Sequence, residues 1–237
     1  MDEQSPRPAG VVRVAAYNVR ALRDDRDALV RVVRGIAADV LLLQEAPRHP
    51  GSGHRVAAFA QDVGMTWSDG RRGRMSTTLL TSLRLDVLAC SHQNLPVARR
   101  EEPRGFALAR LRLPGYVPFT AVSVHLSLRS SQRQAHSAQI LRAIGDSGPA
   151  VVGGDLNETY GQGAWITLQS RLCQVTGDVL TSPSGTPGKT IDGLLATPYW
   201  GCVVPDLELD TADLRRATDH RPVYADLDLG TPAIHTR

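Results

Sequence analysis

The fold is decided by one stretch of sequence, Val151-Val152-Gly153-Gly154-Asp155-Leu156-Asn157. A short apolar run is followed by two glycines, an acid and an amide, which predicts a buried strand that carries two polar side chains to the end of a sheet. Open α/β sheets place their chemistry at the carboxyl ends of strands. A Gly-Asp-x-Asn sequence is also typical of a simple turn, so the interpretation depends on what the other predicted strands carry at their ends.

A strand–helix–strand unit is predicted at the start of the chain. Residues 10–17 form a β-rich apolar run that ends at Asn18, and residues 24–38 carry apolar side chains at helical spacing. Residues 40–43 form a fully apolar strand that ends before Glu45. Because the strands of such a unit are parallel, Asn18 and Glu45 are expected at the same sheet edge. Taken singly, each is more simply a helix cap or a solvated loop acid.

A second unit of the same plan leads into the decisive stretch. Residues 119–128 alternate apolar and small side chains, with His125 on the small face. A helix is predicted from the candidate N-caps Ser130 and Ser131 to about residue 146, followed by the strand that begins at residue 150. His125 and Asp155 should therefore meet at one edge. A lone histidine in this position is more often a core residue than a catalyst.

The remaining elements extend this pattern over the whole sequence. Helices are predicted at residues 56–63 and 163–172, and strands at residues 75–81, 85–89, 106–113, 190–195, 203–209 and 223–227. A basic turn is predicted at residues 71–74, mainly as a solvated surface, and a frayed tail at residues 231–237. The 237 residues are 42% hydrophobic, which predicts a single domain over residues 1–237 with an ordered core of about residues 10–230.

The composition of the chain limits the cellular compartment and the kinds of partner that we expect. Three cysteines without Cys-x-x-Cys spacing argue against a zinc site and a disulfide framework. Without a signal-peptide pattern or an apolar run long enough for a membrane span, we expect a cytoplasmic protein, taken as a monomer. The net charge of +3 permits an anionic partner such as nucleic acid. Aromatic residues, at 5%, are too few for a base-stacking platform.

The polar residues at the predicted strand ends share one chemistry. They are Asn18, Glu45, His125, Asp155, Asn157, Asp192, Asp219 and His220. Oxygen donors dominate, so the set suits Mg²⁺ or Mn²⁺ better than zinc. A divalent cation with histidines and amides provides what phosphate-ester hydrolysis needs, namely charge neutralisation, a base for water and hydrogen-bond donors.

These residues lie in short motifs that occur in a familiar order. The motifs are Tyr17-Asn18-Val19, Leu43-Gln44-Glu45, Ser123-Val124-His125-Leu126, Gly154-Asp155-Leu156-Asn157, Ile191-Asp192 and Thr218-Asp219-His220. The sequence resembles the endonuclease/exonuclease/phosphatase superfamily, typified by pancreatic-type deoxyribonuclease. The resemblance implies a four-layer α/β sandwich, in which two packed mixed β-sheets are flanked by helices, and a Mg²⁺-dependent phosphoesterase.

The resemblance also implies a role for each residue on the metal side of the site. Glu45 resembles the principal metal ligand, with Asn18 nearby, and Asp219 resembles an additional metal-side carboxylate. Arg104 stands where relatives often have an arginine that contacts phosphate.

On the catalytic side, the resemblance makes His220 the histidine beside the scissile phosphate, oriented by Asp192. Because Asp219 and His220 are consecutive, their side chains tend to diverge, so His220 needs a partner from another strand. Asp155 and Asn157 resemble the pair that positions water and phosphate, and His125 resembles a phosphate-binding, acid-type histidine. Which group is the formal base is left open, since the titrations are coupled.

The function expected from this set is Mg²⁺-dependent hydrolysis of phosphate esters by in-line water attack. A phosphodiesterase or endonuclease is the first expectation, because His125 fits those branches of the superfamily. A lipid or small-molecule phosphodiesterase or phosphatase is the second. Residues 20–22 lack the acid that the abasic-site repair branch usually carries after its first Asn. A non-catalytic binding module on the same fold is the alternative of a different class.

Overall fold

Strands and helices alternate along the chain in the computed structural model, which describes residues 7–49, 51–68, 75–146 and 148–231. The elements are β1 (Val11–Asn18), α1 (Arg26–Ile36), β2 (Val40–Gln44), α2 (Gly53–Asp62), β3 (Thr78–Thr81), β4 (Asp86–Leu95), β5 (Arg104–Arg112), β6 (Phe119–His125), α3 (Ser130–Ile144), β7 (Ala150–Asp155), α4 (Gly163–Gln169), β8 (Cys173–Gln174), β9 (Asp192–Ala196), β10 (Gly201–Val203), α5 (Thr211–Ala217) and β11 (Val223–Asp228). The basic turn predicted at residues 71–74 and residues 232–237 of the predicted tail lie outside the described residues.

The strands form two mixed sheets. The first sheet has the order β10-β11-β1-β2-β3, and the second has the order β4-β5-β6-β7-β9-β8. β1 and β2 are parallel, as are β6 and β7, and the other neighbouring strands are antiparallel. Both predicted strand–helix–strand units are therefore confirmed, and each brings the carboxyl ends of its two strands to the same edge.

Three apolar clusters hold four layers together. The first lies between the sheets, where residues such as Leu42 and Val151 are fully buried. The second packs α1 and α2 on the outer face of the first sheet, with Ile36 and Phe59 at its centre. The third packs α3 and α4 on the second sheet around Trp165. Burial of both faces of each sheet explains the near-continuous apolar runs of the central strands, and the predicted four-layer sandwich is confirmed.

Local signals set most element boundaries, with one cap assigned wrongly. Asp25 is the N-cap of α1, where its side chain accepts a hydrogen bond from the backbone N–H of Ala28. The helix ends at Ile36, and the C-cap residue Ala37 adopts the left-handed conformation. At α3 the prediction of Ser130 or Ser131 as N-cap is wrong, because Arg129 occupies that position without a side-chain cap and both serines are already helical.

The region before the last strand differs most from expectation. The strand predicted at residues 203–209 is wrong beyond Val203, where β10 ends, and the chain then forms the unpredicted helix α5. Asp210 caps this helix, and Asp213 accepts two hydrogen bonds of 2.7 Å from Arg31 of α1. The helix is thus stabilised by a partner nearly two hundred residues away in sequence. β4 also extends beyond the predicted residues 85–89, because its exposed second half pairs with β5.

In the part of the chain that the structure describes, no helix combines the length and the apolar character that crossing a membrane requires. Among the described residues, Cys90, Cys173 and Cys202 form no disulfide bond.

Candidate active site

The carboxyl ends of the parallel strands converge at one edge of the sandwich. In the second sheet, His125, Asp155 and Asp192 lie in one row across β6, β7 and β9. Side chains of paired residues on neighbouring strands point to the same face, so this row forms the floor of the site. From the facing sheet, Asn18 at the end of β1 reaches across to Asp155, with 3.1 Å between its Nδ2 and Asp155 Oδ2.

The two glycines before Asp155 allow this close approach. A Cβ on Gly153 would lie 2.2 Å from Cδ2 of Leu194 and 2.9 Å from Cδ1 of Leu42 on the facing sheet. Gly154 has a φ of +147°, and a Cβ there would lie 2.1 Å from the backbone oxygen of Val124. The glycines are therefore required because both the conformation and the contact between layers exclude a side chain.

His220 is held by Asp192. The Nδ1 atom of His220 lies 2.8 Å from Oδ2 of Asp192, which also accepts a 2.6 Å hydrogen bond from the hydroxyl of buried Thr181. Burial opposes protonation of this imidazole, but the hydrogen bond to Asp192 and the negative charges around it outweigh that effect. The pKa of His220 is raised to about 9, so in the metal-free protein its ring is a cation at neutral pH.

Asp155 lies at the centre of the site and is fully enclosed. Its Oδ1 accepts a hydrogen bond of 2.9 Å from the backbone N–H of Asn157, and its Oδ2 lies 3.8 Å from Nε2 of His220. Burial and the charge of Asp192 raise the pKa of Asp155 to about 7, against the opposing effects of His220 and the hydrogen-bond donors. Its carboxyl group therefore titrates near neutrality in the metal-free protein.

His125 is neutral and forms the other side of the floor. Arg104 Nη1 lies 3.2 Å from Nδ1 of His125. Because a guanidinium only donates, Nδ1 is the acceptor and the proton resides on Nε2, which faces Asp155 Oδ2 at 3.6 Å. Burial, followed by the positive charge of Arg104, holds the pKa of His125 well below its ordinary value. This ring therefore offers a neutral N–H donor to the site.

Glu45 stands at the outer side of the same edge. It adopts a φ of 49°, an uncommon conformation for a non-glycine residue that is concentrated at functional sites. Its Oε1 accepts a 3.1 Å hydrogen bond from Nδ2 of Asn18, the amide that also donates to Asp155. The Oδ1 of Asn18 accepts from the backbone N–H of Arg20. In this geometry Asn18 orients two carboxylates, and its role as a ligand stays a prediction.

One cluster of side chains and one separate carboxylate, Glu45, could bind a hard divalent cation. Oxygen or nitrogen atoms of Asp155, Asp192 and His220 lie within 4.8 Å of one another, and Oδ1 of Asp192 is buried without a hydrogen-bond partner among the described residues. In that cluster, however, His220 Nδ1 already binds Asp192 Oδ2. Glu45 is half-buried and lines an open cleft, where its carboxylate is accessible, and its role as the principal ligand stays a prediction. The donor chemistry agrees with Mg²⁺ or Mn²⁺.

The other two predicted residues lie at the rim. Asp219 is half-exposed, and its Oδ2 lies 3.5 Å from Nε of Arg20. Asn157 has a φ of 52° and donates a 3.0 Å hydrogen bond from Nδ2 to the backbone oxygen of Leu126. The structure therefore brings all the sequence-predicted residues to one edge of the sandwich, and their individual roles remain predictions.

Sequence reasoning missed a buried ion pair behind the site. Arg133 of α3 donates a hydrogen bond of 2.9 Å to Oε1 of Glu158 and one of 2.8 Å to the backbone oxygen of Leu128. It thereby joins the loop that follows His125 to the loop that follows Asn157. The sequence carried no signal for this pair, because only the structure shows that Arg133 lies on the buried face of α3. Thr181, in a loop rich in Ser, Pro and Gly, carried no signal at all.

A two-sheet α/β sandwich with an acidic and histidine-containing site at its strand ends defines the class of protein. The model of the endonuclease/exonuclease/phosphatase family matches residues 15–220, and the chain belongs to this family. Members of the family are hydrolytic phosphoesterases. No curated protein sequence matches the chain significantly.

Several solved structures share the fold. An endonuclease/exonuclease/phosphatase protein from Bacteroides vulgatus has a TM-score of 0.73 and 19% identity, with coverage of 92% of this chain and 98% of that chain. A mannosyl-6-phosphatase from Bacteroides thetaiotaomicron has a TM-score of 0.69 and 15% identity, with coverage of 91% and 99%. The catalytic domain of human Nocturnin, with a bound sulfate, also has a TM-score of 0.69 and 15% identity, with coverage of 92% and 94%. At these identities the similarity demonstrates the fold alone.

Proposed function

We propose that the protein hydrolyses phosphate esters with the help of Mg²⁺ or Mn²⁺. Among the activities of this class, the one we propose first is a phosphodiesterase of the endonuclease type. One observation carries the proposal. The imidazole of His220 lies between two carboxylates, with Nδ1 2.8 Å from Asp192 and Nε2 3.8 Å from Asp155. The protonated imidazole, oriented by Asp192, provides a positively charged hydrogen-bond donor. The carboxylate of Asp155, which faces it, provides a proton acceptor at the same point.

A divalent cation held by Glu45, with Asn18 and Asp219 nearby, would neutralise charge on the phosphate. Protonated His220 and the neutral Nε2–H of His125 donate hydrogen bonds to phosphate oxygens, which stabilises the negative charge that develops there. These donors are fixed by Asp192 and Arg104, so they need no reorganisation when the substrate arrives.

Asp155 is the group best suited to accept the proton from water, because its carboxyl group titrates near pH 7. The water oxygen forms a bond to phosphorus as the bond from phosphorus to the leaving oxygen breaks. The water proton passes to Asp155, and the leaving oxygen takes a proton from His220 or solvent. Asn157, at the rim, orients the attacked phosphate.

Nucleic acid is the first substrate to test, since a net charge of +3 favours an anionic polymer. Small-molecule phosphoesters are the second, and the similarity of fold to a mannosyl-6-phosphatase supports testing them; lipid phosphoesters belong to the same group. A non-catalytic binding module is disfavoured, because it would have no need for a buried Asp155 beside a charged His220.

The experiment measures hydrolysis of plasmid DNA, RNA, an aryl phosphodiester, a sugar phosphate and a lipid phosphoester at several Mg²⁺ concentrations, with Asp155→Ala as the matched control. Nicking of plasmid that depends on Mg²⁺ and is lost in the variant establishes a nuclease. Cleavage restricted to the other esters moves the assignment to them. Absence of hydrolysis, together with absence of millimolar Mg²⁺ binding, refutes the enzyme.

A further inference from the structure

A cleft of about 510 Å³ opens next to Glu45 and Arg104, and the proposed reaction leaves most of it unused. Four arginines line it against two glutamates. The arginines are Arg23, Arg48, Arg55 and Arg104, and the glutamates are Glu45 and Glu102. A volume of this size holds a small organic ligand, which is much more than the phosphate group that reacts at Asp155.

Two of the arginines are available to a ligand. Arg55 donates one hydrogen bond of 3.0 Å from Nη2 to the backbone oxygen of Leu22, which orients the guanidinium and leaves its other donors for the cleft. None of the hydrogen bonds or ion pairs among the described residues involves the side chain of Arg23. Guanidinium groups match phosphate and carboxylate in a bidentate geometry, so this pair favours an anion.

The other two arginines share one exposed carboxylate. Glu102 accepts a hydrogen bond of 2.7 Å from Arg48, and its second oxygen lies 3.5 Å from Nη1 of Arg104. The Glu102 side chain is 63% exposed, whereas that of Arg104 is 8% exposed. An exposed ion pair contributes little, so an anionic ligand can displace Glu102. Arg104 also binds His125, so a ligand at this position lies beside the catalytic floor.

We propose that the cleft binds a second phosphate group of the substrate, so that the enzyme selects phosphate esters that carry another phosphate on the same small organic unit. The inference rests on the proposed function and names its substrate class. The second phosphate has two sources with the same chemistry, a nucleoside bisphosphate or the adjoining phosphate of a nucleic acid strand. A metal cation at Glu45 would remove one of the two negative charges in the cleft and strengthen this preference.

The test compares adenosine 3′,5′-bisphosphate with adenosine 3′-monophosphate, and a dinucleotide with and without a 5′-phosphate. The wild type is expected to show a kcat/KM at least about tenfold higher for the substrate with the extra phosphate. The double variant Arg23→Gln/Arg55→Gln is expected to lower that ratio by about tenfold or more, the typical effect of losing a charge-assisted hydrogen bond. Glu102→Gln is expected to act in the opposite direction and lower KM for the bisphosphate.

The matched control is Arg112→Gln, which removes the same charge from the far end of β5. It lies eight residues from Arg104, roughly 26 Å along the strand, and its partner Asp86 is also exposed. Equal kcat/KM values for both members of each wild-type pair would overturn the inference, as would an equal loss of preference in the control. Preference in the nucleoside pair identifies a small-molecule source, and preference in the dinucleotide pair alone identifies a nucleic acid strand.

Equilibrium binding separates this inference from the proposed function. With a chelator present, the bisphosphate is expected to bind the wild type more tightly than the monophosphate, and the double variant should lose the difference. That result without hydrolysis of any ester would refute the hydrolase and keep the anion cleft. Hydrolysis without any preference, in rate or in binding, would refute the cleft alone.

Discussion

Replacing Asp192 with Asn should change stability in a way that depends on pH. In the metal-free protein, the pKa of His220 is raised to about 9 from its ordinary value of about 6.5. Because the folded-state pKa is the higher one, the associated stability is fully present below pH 6.5 and is lost as pH rises through 9. The difference corresponds to about 3 kcal/mol of unfolding free energy.

In the Asp192→Asn variant, burial still lowers the pKa of His220, but the charge of Asp192 that raises this pKa is absent. The pKa of His220 should therefore fall to or below the ordinary value. Asp155 acts in the same direction. Its raised pKa lowers the stability of the folded state progressively between about pH 4 and pH 7, and removal of the charge of Asp192 reduces that penalty, which is complete at pH 9.5 and only partial at pH 5.5. The variant should therefore lose about 3 kcal/mol more, relative to wild type, at pH 5.5 than at pH 9.5.

The assay is urea unfolding of both proteins in chelator at the two pH values, with the imidazole of His220 followed by NMR. Thr181→Val is the control, because it removes a neutral hydrogen bond to the same carboxylate oxygen. It should cost about 1 kcal/mol at both pH values. An equal loss for Asp192→Asn at the two pH values, or titration of wild-type His220 near pH 6.5, would refute the reasoning.

Three further predictions follow from the site. Gly154→Ala should destabilise the fold by roughly 3 kcal/mol or more, through strain and overpacking against Val124; urea unfolding measures this, with Gly185→Ala, an open position, as the neutral control. His220→Ala should lower kcat by at least about 10²-fold, and steady-state kinetics with unchanged activity would remove this histidine from the site. Glu45→Gln should shift the activity titration to higher Mg²⁺ concentrations, whereas a titration identical to wild type would contradict a ligand role.

The sequence predicted the part of the fold that depends on local pattern. Parallel pairing of β1 with β2 and of β6 with β7 followed from an apolar run, a helix and a second apolar run in close succession. The same geometry brought His125 to Asp155 and Asn18 to the end of β2. Strand ends are predictable because the direction of a parallel strand determines which of its ends meets its neighbour.

The parts that were missed depend on contacts between distant segments. α5 has few large apolar residues, and Asp213 is bound by Arg31 from the other end of the chain. Thr181 bonds Asp192 from an irregular loop, and the direction of the Asn18 amide is set by two carboxylates that no short motif reveals. The positive charge of the cleft was visible in the sequence only as a small excess of basic residues. The arginines that line the cleft come from separate segments of the chain, so no single motif reveals them.

The ion pair between Arg133 and Glu158 has a consequence for motion. One guanidinium donates from Nη1 to the loop after β6 and from Nη2 to the loop after β7, so opening of either loop removes one of the two partners that hold this side chain. The two segments should form one cooperative opening unit, with closely similar opening free energies in amide hydrogen exchange. The loop that follows His125 and the loop that carries the amide of Asn157 would then open and close together.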